Sequence, residues 1–316
     1  MNNINPKVSV VIATYNRAHF IRAAIDSVLA QTFSDYEIVV VDDGSTDTTQ
    51  EVVKSYGNKV RYYYQRNQGK ATAQNYAVAQ AKGEYIALLD DDDVWFPNKL
   101  EIQMKVLEQD PDLGFVCSES QLTDEKGQLI RHWQKKQTSK ETFESLYEEN
   151  FIQHSTVVVR KRFLDMVGGL DTALKTTEDY DLWLRLAKVC KFKYIPMPLV
   201  EYRQHPASKH LNTAQKLKDR VRVVSKPENM AHIGFIKRRS RIAREYHIHA
   251  QYFQDYGKFK EASTNYFKAV AIYPLIGLQF TGRDANRFQS ASLYRVVRPY
   301  LKAFLYLFKT VGSKNQ

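Results

Sequence analysis

The chain is poor in cysteine. Two, Cys117 and Cys190, stand among 316 residues. That number excludes a disulfide framework and a cysteine zinc site, and it fits a reducing compartment. Long apolar runs are also missing. Nothing reaches the roughly 18 apolar residues of a membrane-spanning helix, and the polar segment from Met1 to Lys7 is followed by no apolar signal core. Glycine-rich phosphate loops are absent too. The first apolar run leads into ATYNRAHF, without glycine, so a G-x-G-x-x-G dinucleotide fingerprint is excluded. No G-x-x-x-x-G-K-[ST] loop occurs either. Acidic residues are scarce in the last third. Residues 211–316 hold 6 Asp and Glu against 20 Lys and Arg, a net of +14, while residues 1–210 hold 29 against 26, a net of −3. The overall charge of +11 is therefore a basic tail on a slightly acidic body. At 43% hydrophobic and 26% charged, the composition excludes whole-chain disorder, collagen and coiled coil.

Val8 to Ala13 is a β-branched run, read as a strand buried on both faces. Ala18 to Gln31 carries apolar residues at helical spacing: Phe20, Ile21, Ala24, Ile25, Val28 and Leu29. Further strands are predicted at Glu37–Val41, Val60–Tyr64 and Tyr85–Leu89, with helices at Thr46–Tyr56 and Thr72–Ala81 between them. Gly83 is read as a left-handed cap ending the second of these helices. Pro97 is read as the opening residue of a helix to Glu108. Phe115–Ser120, Val157–Arg160 and Lys193–Pro196 look like later strands, and Glu178–Lys188 like a helix. Such alternation predicts an α/β fold with a mostly parallel sheet flanked by helices. Ligands of such sheets bind outside the carboxyl ends of the strands. Three strands end there in polar clusters, Thr14-Tyr15-Asn16, Asp42-Asp43 and Asp90 to Asp93, and these are expected to share one cleft.

The run of four aspartates is the sharpest feature. An acidic run is ordinarily a solvated loop. Here a buried strand precedes it and Val94-Trp95-Phe96-Pro97 follows, and four adjacent carboxylates repel unless a hard cation relieves them. Magnesium takes one or two protein carboxylates and completes its shell with phosphates and water, so Asp-X-Asp suits a metal–diphosphate grip.

The blocks VSVVIATYNR, Gln31-Thr32, IVVVDDGSTD, Asn67-Gln68-Gly69, GEYIALLDDDD and TTEDYDLWLRL, in this order over about residues 7–205, resemble the family 2 glycosyltransferases of GT-A fold. The resemblance implies an inverting transfer from a nucleotide-diphosphate sugar, UDP-linked in type, assisted by Mn²⁺ or Mg²⁺. Ala13, Tyr15 and Asp43 would hold the donor base, with Tyr15 stacking on it. Asp90 or Asp91 would face the ribose, and Asp92 would bind the metal, with His205 of the Tyr202-Arg203-Gln204-His205 motif near the metal or diphosphate. Asp179 would be the catalytic base, with Glu178 and Asp181 as its neighbours in sequence. Where the family often carries arginine before the asparagine of the third helix, this chain has Gln74. Lys70 could supply the missing charge to the diphosphate.

His154 is expected to line the acceptor side or to be structural. Trp95, Trp133 and Trp183 read as core or wall, with Trp133 the candidate for an acceptor contact. Residues 1–210 are read as the glycosyltransferase domain and residues 211–316 as a basic helical region. Within the latter, Met230–Asp255 and Lys258–Tyr273 form one tetratricopeptide-like hairpin, and Tyr294–Lys309 forms an amphipathic helix. The tail fits an anionic membrane surface, with a solvated basic face as the alternative. No nucleic-acid motif accompanies its charge. The expected setting is therefore cytoplasmic and peripheral at the inner membrane face, acting on a glycan or lipid-linked saccharide. Two rivals are a sugar-nucleotide-binding scaffold without activity and a nucleotidyltransferase. The intact acidic set argues against the first and the missing glycine-rich loop against the second.

Overall fold

The computed structural model describes residues 5–133, 141–204 and 213–274. The chain divides into two units, residues 1–210 and 211–316. In the first, the elements run β1 (Val8–Thr14), α1 (Ala18–Leu29), β2 (Tyr36–Asp42), α2 (Thr49–Lys54), β3 (Arg61–Tyr64), α3 (Lys70–Gln80), β4 (Tyr85–Asp90), β5 (Val94–Trp95), α4 (Lys99–Gln109) and β6 (Leu113–Asp124). Then follow β7 (Leu129–Trp133), α5 (Phe143–Glu148), β8 (Val158–Arg160), α6 (Lys161–Val167), α7 (Glu178–Val189) and β9 (Lys191–Gln204). One sheet holds all the strands in the order β3-β2-β1-β4-β8-β6-β9-β5, with β7 paired to β6.

The first four strands are parallel. All seven residues of β1 are buried, which is why it reads as a near-continuous apolar run, broken only by Ser9 before Thr14, rather than an alternating one. On one face Val8, Val10, Ile12, Val40 and Leu89 pack with Ile21, Ile25 and Val28 of α1 and with Leu100, Met104 and Leu107 of α4. Fully burying each such side chain contributes about 1.5–3 kcal/mol. On the other face α3 lies against β1 and β2.

Beyond β4 the sheet becomes mixed. β8 runs antiparallel to β4 and β6, because the chain enters it from the turn His154–Thr156, beside the carboxyl end of β4. β6 and β9 form a long parallel ladder. Both outrun their expected ends. In β9, Ile195 pairs with Ser118 and Pro198 with Glu119, so Pro196 and Met197 fall in a register shift. A proline cannot donate to a ladder, and the bulge lets the strand continue past it.

Two expectations need correction. Gly83 does not take positive φ, and α3 ends on an extended Ala81. Gly83 is instead a crossing point: a Cβ there would lie 2.6 Å from the Ser9 nitrogen and 2.8 Å from the Val8 carbonyl carbon. Pro97 precedes α4 rather than opening it, since Asn98 is the cap and Lys99 the first helical residue. The elements β7, α5 and α6, 5, 6 and 7 residues long, are too short to show a period.

The second unit comprises α8 (Thr213–Val224), α9 (Pro227–Met230), α10 (Phe235–Asp255) and α11 (Phe259–Ile272). The helix expected over Met230–Asp255 is interrupted before Gly234, which caps α10. α10 and α11 form the expected hairpin, with Ala250, Phe253, Ala262 and Tyr266 in one buried cluster and Ala243, Ala269 and Val270 in another. Beside these apolar clusters Glu245 is fully buried with Arg241 and Arg220. Its carboxyl, pushed up by burial, is held below the usual range by the two guanidinium groups, which outweigh that effect. Among the described residues no helix is long and apolar enough to cross a membrane. The segment Tyr294–Lys309 lies outside the described residues.

Candidate active site

The in-register pairing of β1 with β2 and β4 sets Thr14 beside Asp42 and Ala13 beside Asp90. The polar strand ends therefore open into one cleft of about 300 Å³. Ala13, Tyr15, Asp43, Lys70, Asp90, Asp91 and Asp92 all line it, together with Thr14, Arg17, Asn67 and Gly69.

On one wall Tyr15 is 46% exposed, so it is not a core residue. The next residue, Asn16, is left-handed at φ 53°, a conformation asparagine tolerates. Its side-chain oxygen accepts from the Thr46 amide at 2.8 Å, and its own amide donates to Ser45 Oγ at 2.9 Å. Asp42 is buried and accepts from the Ser45 amide and the Tyr62 hydroxyl.

Asp43 organises the opposite loop. Its Oδ1 accepts from Gln65 Nε2 at 2.7 Å and the Gln68 amide at 2.9 Å, and its Oδ2 from the Gly69 amide at 2.8 Å. Gly44 follows at φ +86°, and a Cβ on it would stand 2.8 Å from the Asn67 nitrogen. Glycine is required there on both counts.

The acidic run forms the floor. Asp90, Asp92 and Asp93 offer carboxylate oxygens within 4.8 Å of one another. Lys70 Nζ reaches Asp90 Oδ1 at 2.7 Å. Burial pushes the Asp90 carboxyl up, but Lys70 and His154 outweigh it and hold the group below its usual range. Asp91 is pushed up to about 7, chiefly by burial and then by Asp92, with Arg17 opposing from 3.8 Å. Burial and the charges of Asp92 and Asp90 likewise raise Asp93. Carboxylates held this close without full compensation suit a hard divalent cation with oxygen ligands. Asp93 contributes differently from its neighbours. Its Oδ2 accepts from Ser155 Oγ at 2.5 Å and its Oδ1 from the Arg203 amide at 3.1 Å.

Asp179 sits in the first turn of α7 with Glu178 and Asp181. Thr177, which caps the helix, is left-handed at φ 63°. That is a costly conformation for a β-branched residue. Asp179 is partly exposed, whereas Glu178 is buried and its carboxyl is raised by burial against the pull of Lys70. Lys70 in turn feels Asp90, Glu178 and Asp179, which outweigh burial and keep the ammonium charged. Asp181 is fully buried and accepts from Arg185 Nε at 2.8 Å, which separates it from Asp179.

His154 meets the structural alternative of the two expected for it. It is buried, 3.8 Å from Asp90 Oδ1, with the Gln74 amide against its Nε2 at 2.5 Å. Burial holds its imidazole below the ordinary range, against Asp90. Gln74 is thus committed to His154, and Lys70 is the cation of α3 that faces the cleft. Trp95 and Trp183 are buried walls. His205 and the side chain of Trp133 lie outside the described residues.

Residue patterns alone missed Ser155 and Arg203. Ser155 Oγ bridges the run, accepting from the Asp90 amide at 3.0 Å while donating to Asp93. Arg203 donates through Nε to the Asp92 carbonyl. Its signal was the Tyr202-Arg203-Gln204-His205 motif, in which the histidine drew attention and the arginine makes the described contacts.

The family model for glycosyl transferase family 2 matches residues 9–168. An uncharacterized glycosyltransferase of Rickettsia typhi is 37% identical over 212 residues, 65% of this chain and 66% of that one. A second, from Rickettsia felis, is 36% identical over 212 residues, 65% of this chain and 35% of that one. The chain therefore spans between about a third and two thirds of these relatives. Among solved structures, a segment of S. aureus TarS in complex with UDP-GlcNAc superposes with a TM-score of 0.64 at 15% identity, over 95% of this chain and 89% of that one. The mannosyltransferase PcManGT of Pyrobaculum calidifontis, in complex with GDP-Man and Mn²⁺, gives 0.60 at 19% identity, over 99% and 89%. With a family match over half its length and the sheet of these neighbours, the chain belongs to glycosyltransferase family 2 and has the GT-A fold.

Proposed function

We propose that this glycosyltransferase moves a sugar from a UDP-linked donor to a hydroxyl of a glycan or lipid-linked saccharide, with inversion at the anomeric carbon. The carrying observation is the meeting of Tyr15, Asp43, Lys70 and the Asp90–Asp92 run in one cleft. The nucleotide complexes of TarS and PcManGT support the donor class.

In this reading Ala13, Tyr15 and Asp43 seat the base, Tyr15 by stacking. Asp90 or Asp91 faces the ribose. Asp92 holds the cation, with His205 approaching it. When bound, Mn²⁺ or Mg²⁺ acts as a Lewis acid on the leaving diphosphate. Lys70 adds positive charge where the phosphates depart. Asp179 takes the proton of the acceptor hydroxyl as its oxygen bonds to the anomeric carbon. The bond from that carbon to the phosphate oxygen breaks, and the nucleoside diphosphate leaves with the electron pair. A positioned base of this kind is typically worth about 10²- to 10⁴-fold. The basic region from residue 211 onward attaches the enzyme to an anionic membrane surface at the cytoplasmic face.

A screen of nucleotide sugars with Mn²⁺ or Mg²⁺, reading hydrolysis and thermal shift together, tests the donor. Asp179→Asn is expected to keep the donor-induced thermal shift and lose transfer by 10²-fold or more. Transfer at the parent rate would remove Asp179 as the base.

A further inference from the structure

Phe235 and Ile236, the first two residues of α10, are 68% and 67% exposed. Among the described residues no large hydrophobic side chains are more exposed. Their setting is specific. Ahead of them stand exposed His232 and Gly234, and after them Lys237, Arg238 and Arg239. The tip is firmly held. Arg239 donates through Nε to the Ile272 carbonyl at 2.6 Å, joining α10 to the last turn of α11, and its guanidinium lies 5.5 Å from the Phe235 ring. Arg238 donates to the Ile233 carbonyl, and Ile233 is buried.

The apolar surface is one turn deep. A helix laid in a protein groove presents apolar residues at i, i+3, i+4 and i+7. Counting from Phe235 and Ile236, the positions one turn on are Arg238, Arg239 and Ser240. Two adjacent apolar knobs with cations immediately behind them match a lipid interface instead. There apolar side chains enter the boundary beneath the headgroups while lysine and arginine stay at phosphate level. The charge is complementary, since residues 211–316 carry a net +14 and basic residues gain free energy near anionic lipid.

We propose that the Phe235-Ile236 tip is a membrane-inserting wedge that seats the enzyme on an anionic lipid surface. This deepens the membrane reading given above and rests on it, and it names which described residues enter the lipid.

The test uses the full chain with vesicles of phosphatidylcholine and phosphatidylglycerol. Phe235→Trp, compared with the parent protein for background, reports depth through quenching by doxyl-labelled lipid. The native Trp95 and Trp183 are buried at 2% and 0% exposure. Quenching of the new tryptophan by shallow doxyl labels is expected. The double variant Phe235→Ser, Ile236→Ser is expected to lose about tenfold or more in vesicle partitioning, with unchanged thermal unfolding. Full vesicle binding without quenching, or without loss in the double variant, would overturn the wedge while leaving the membrane reading in place. Absence of vesicle binding by the parent protein would overturn both.

Discussion

At the scale of single residues, one hydroxyl holds much of the acidic floor in place. Ser155 accepts from the Asp90 amide and donates to Asp93, and its carbonyl accepts from Trp95 Nε1 at 2.9 Å. Ser155→Ala strips the run of both side-chain contacts and leaves a buried carboxylate short of a donor. A loss of about 1–3 kcal/mol in urea unfolding is expected, with Mn²⁺ affinity weakened severalfold by isothermal titration. Parent-like Mn²⁺ affinity would show that Ser155 supports the fold without positioning the site. The acidic run was legible in the sequence because a buried strand precedes its four carboxylates and an apolar stretch follows them, which sets it apart from an ordinary solvated loop. Ser155 was not, because a serine in Gln153-His154-Ser155-Thr156 carries no pattern until β4 and its neighbouring turn are brought together. His154 stood between acceptor wall and structural residue for the same reason: its partner, Gln74, is distant in sequence and adjacent only after folding.

At the scale of elements, β1 and β4 with the connection between α3 and β4 form the least forgiving part of the sheet. The backbone at Gly83 passes so close to β1 that any Cβ meets main-chain atoms at 2.6 and 2.8 Å, and main chain cannot move aside like a flexible side chain. Gly83→Ala is therefore expected to cost about 1–3 kcal/mol, read from the urea midpoint. Gly234→Ala, where nothing lies within 4 Å, is expected to lose only the preference of an N-cap for glycine over alanine, about 0.5–1 kcal/mol. Equal effects would refute the close-approach account. The parallel half of the sheet was legible because buried parallel strands read as β-branched runs between helices of clear period. The mixed half was less so. β8 is expected at Val157–Arg160 and found at Val158–Arg160, but β9 carries two prolines that read as a strand end until its bulge is seen. Gly83 itself was misread because helix-cap and crossing glycines look alike in one dimension.

At the scale of the molecule, the helical unit carries a pH dependence of its own. In the helical unit Glu245 has its carboxyl held below the ordinary range by Arg241 and Arg220 despite burial. A group depressed on folding contributes stability that is present above its unfolded pKa and lost as pH falls through its folded one. Burial also holds His249 below its ordinary value, so its contribution begins to fall below about pH 6.5. Both act in the same direction. Hydrogen exchange on the full chain is expected to show α10 protected at pH 7, weakening below pH 6.5 and failing below pH 4. In Glu245→Gln the protection is expected to be reduced at pH 7 and to converge with the parent's below pH 4, where the native carboxyl is itself protonated, because the guanidinium groups of Arg241 and Arg220 lose their counter-charge. PH-independent protection in the parent would contradict this linkage. Finally, the ties between Asp43, Gly44 and the loop at residues 65–69 have an evolutionary consequence. A lineage that exchanges the Asp43 carboxylate loses the scaffold of a segment some 25 residues downstream, whatever ligand it binds. Substitutions in these two stretches are thus expected to be inherited as a set, and a change in donor preference to arrive by replacing both together.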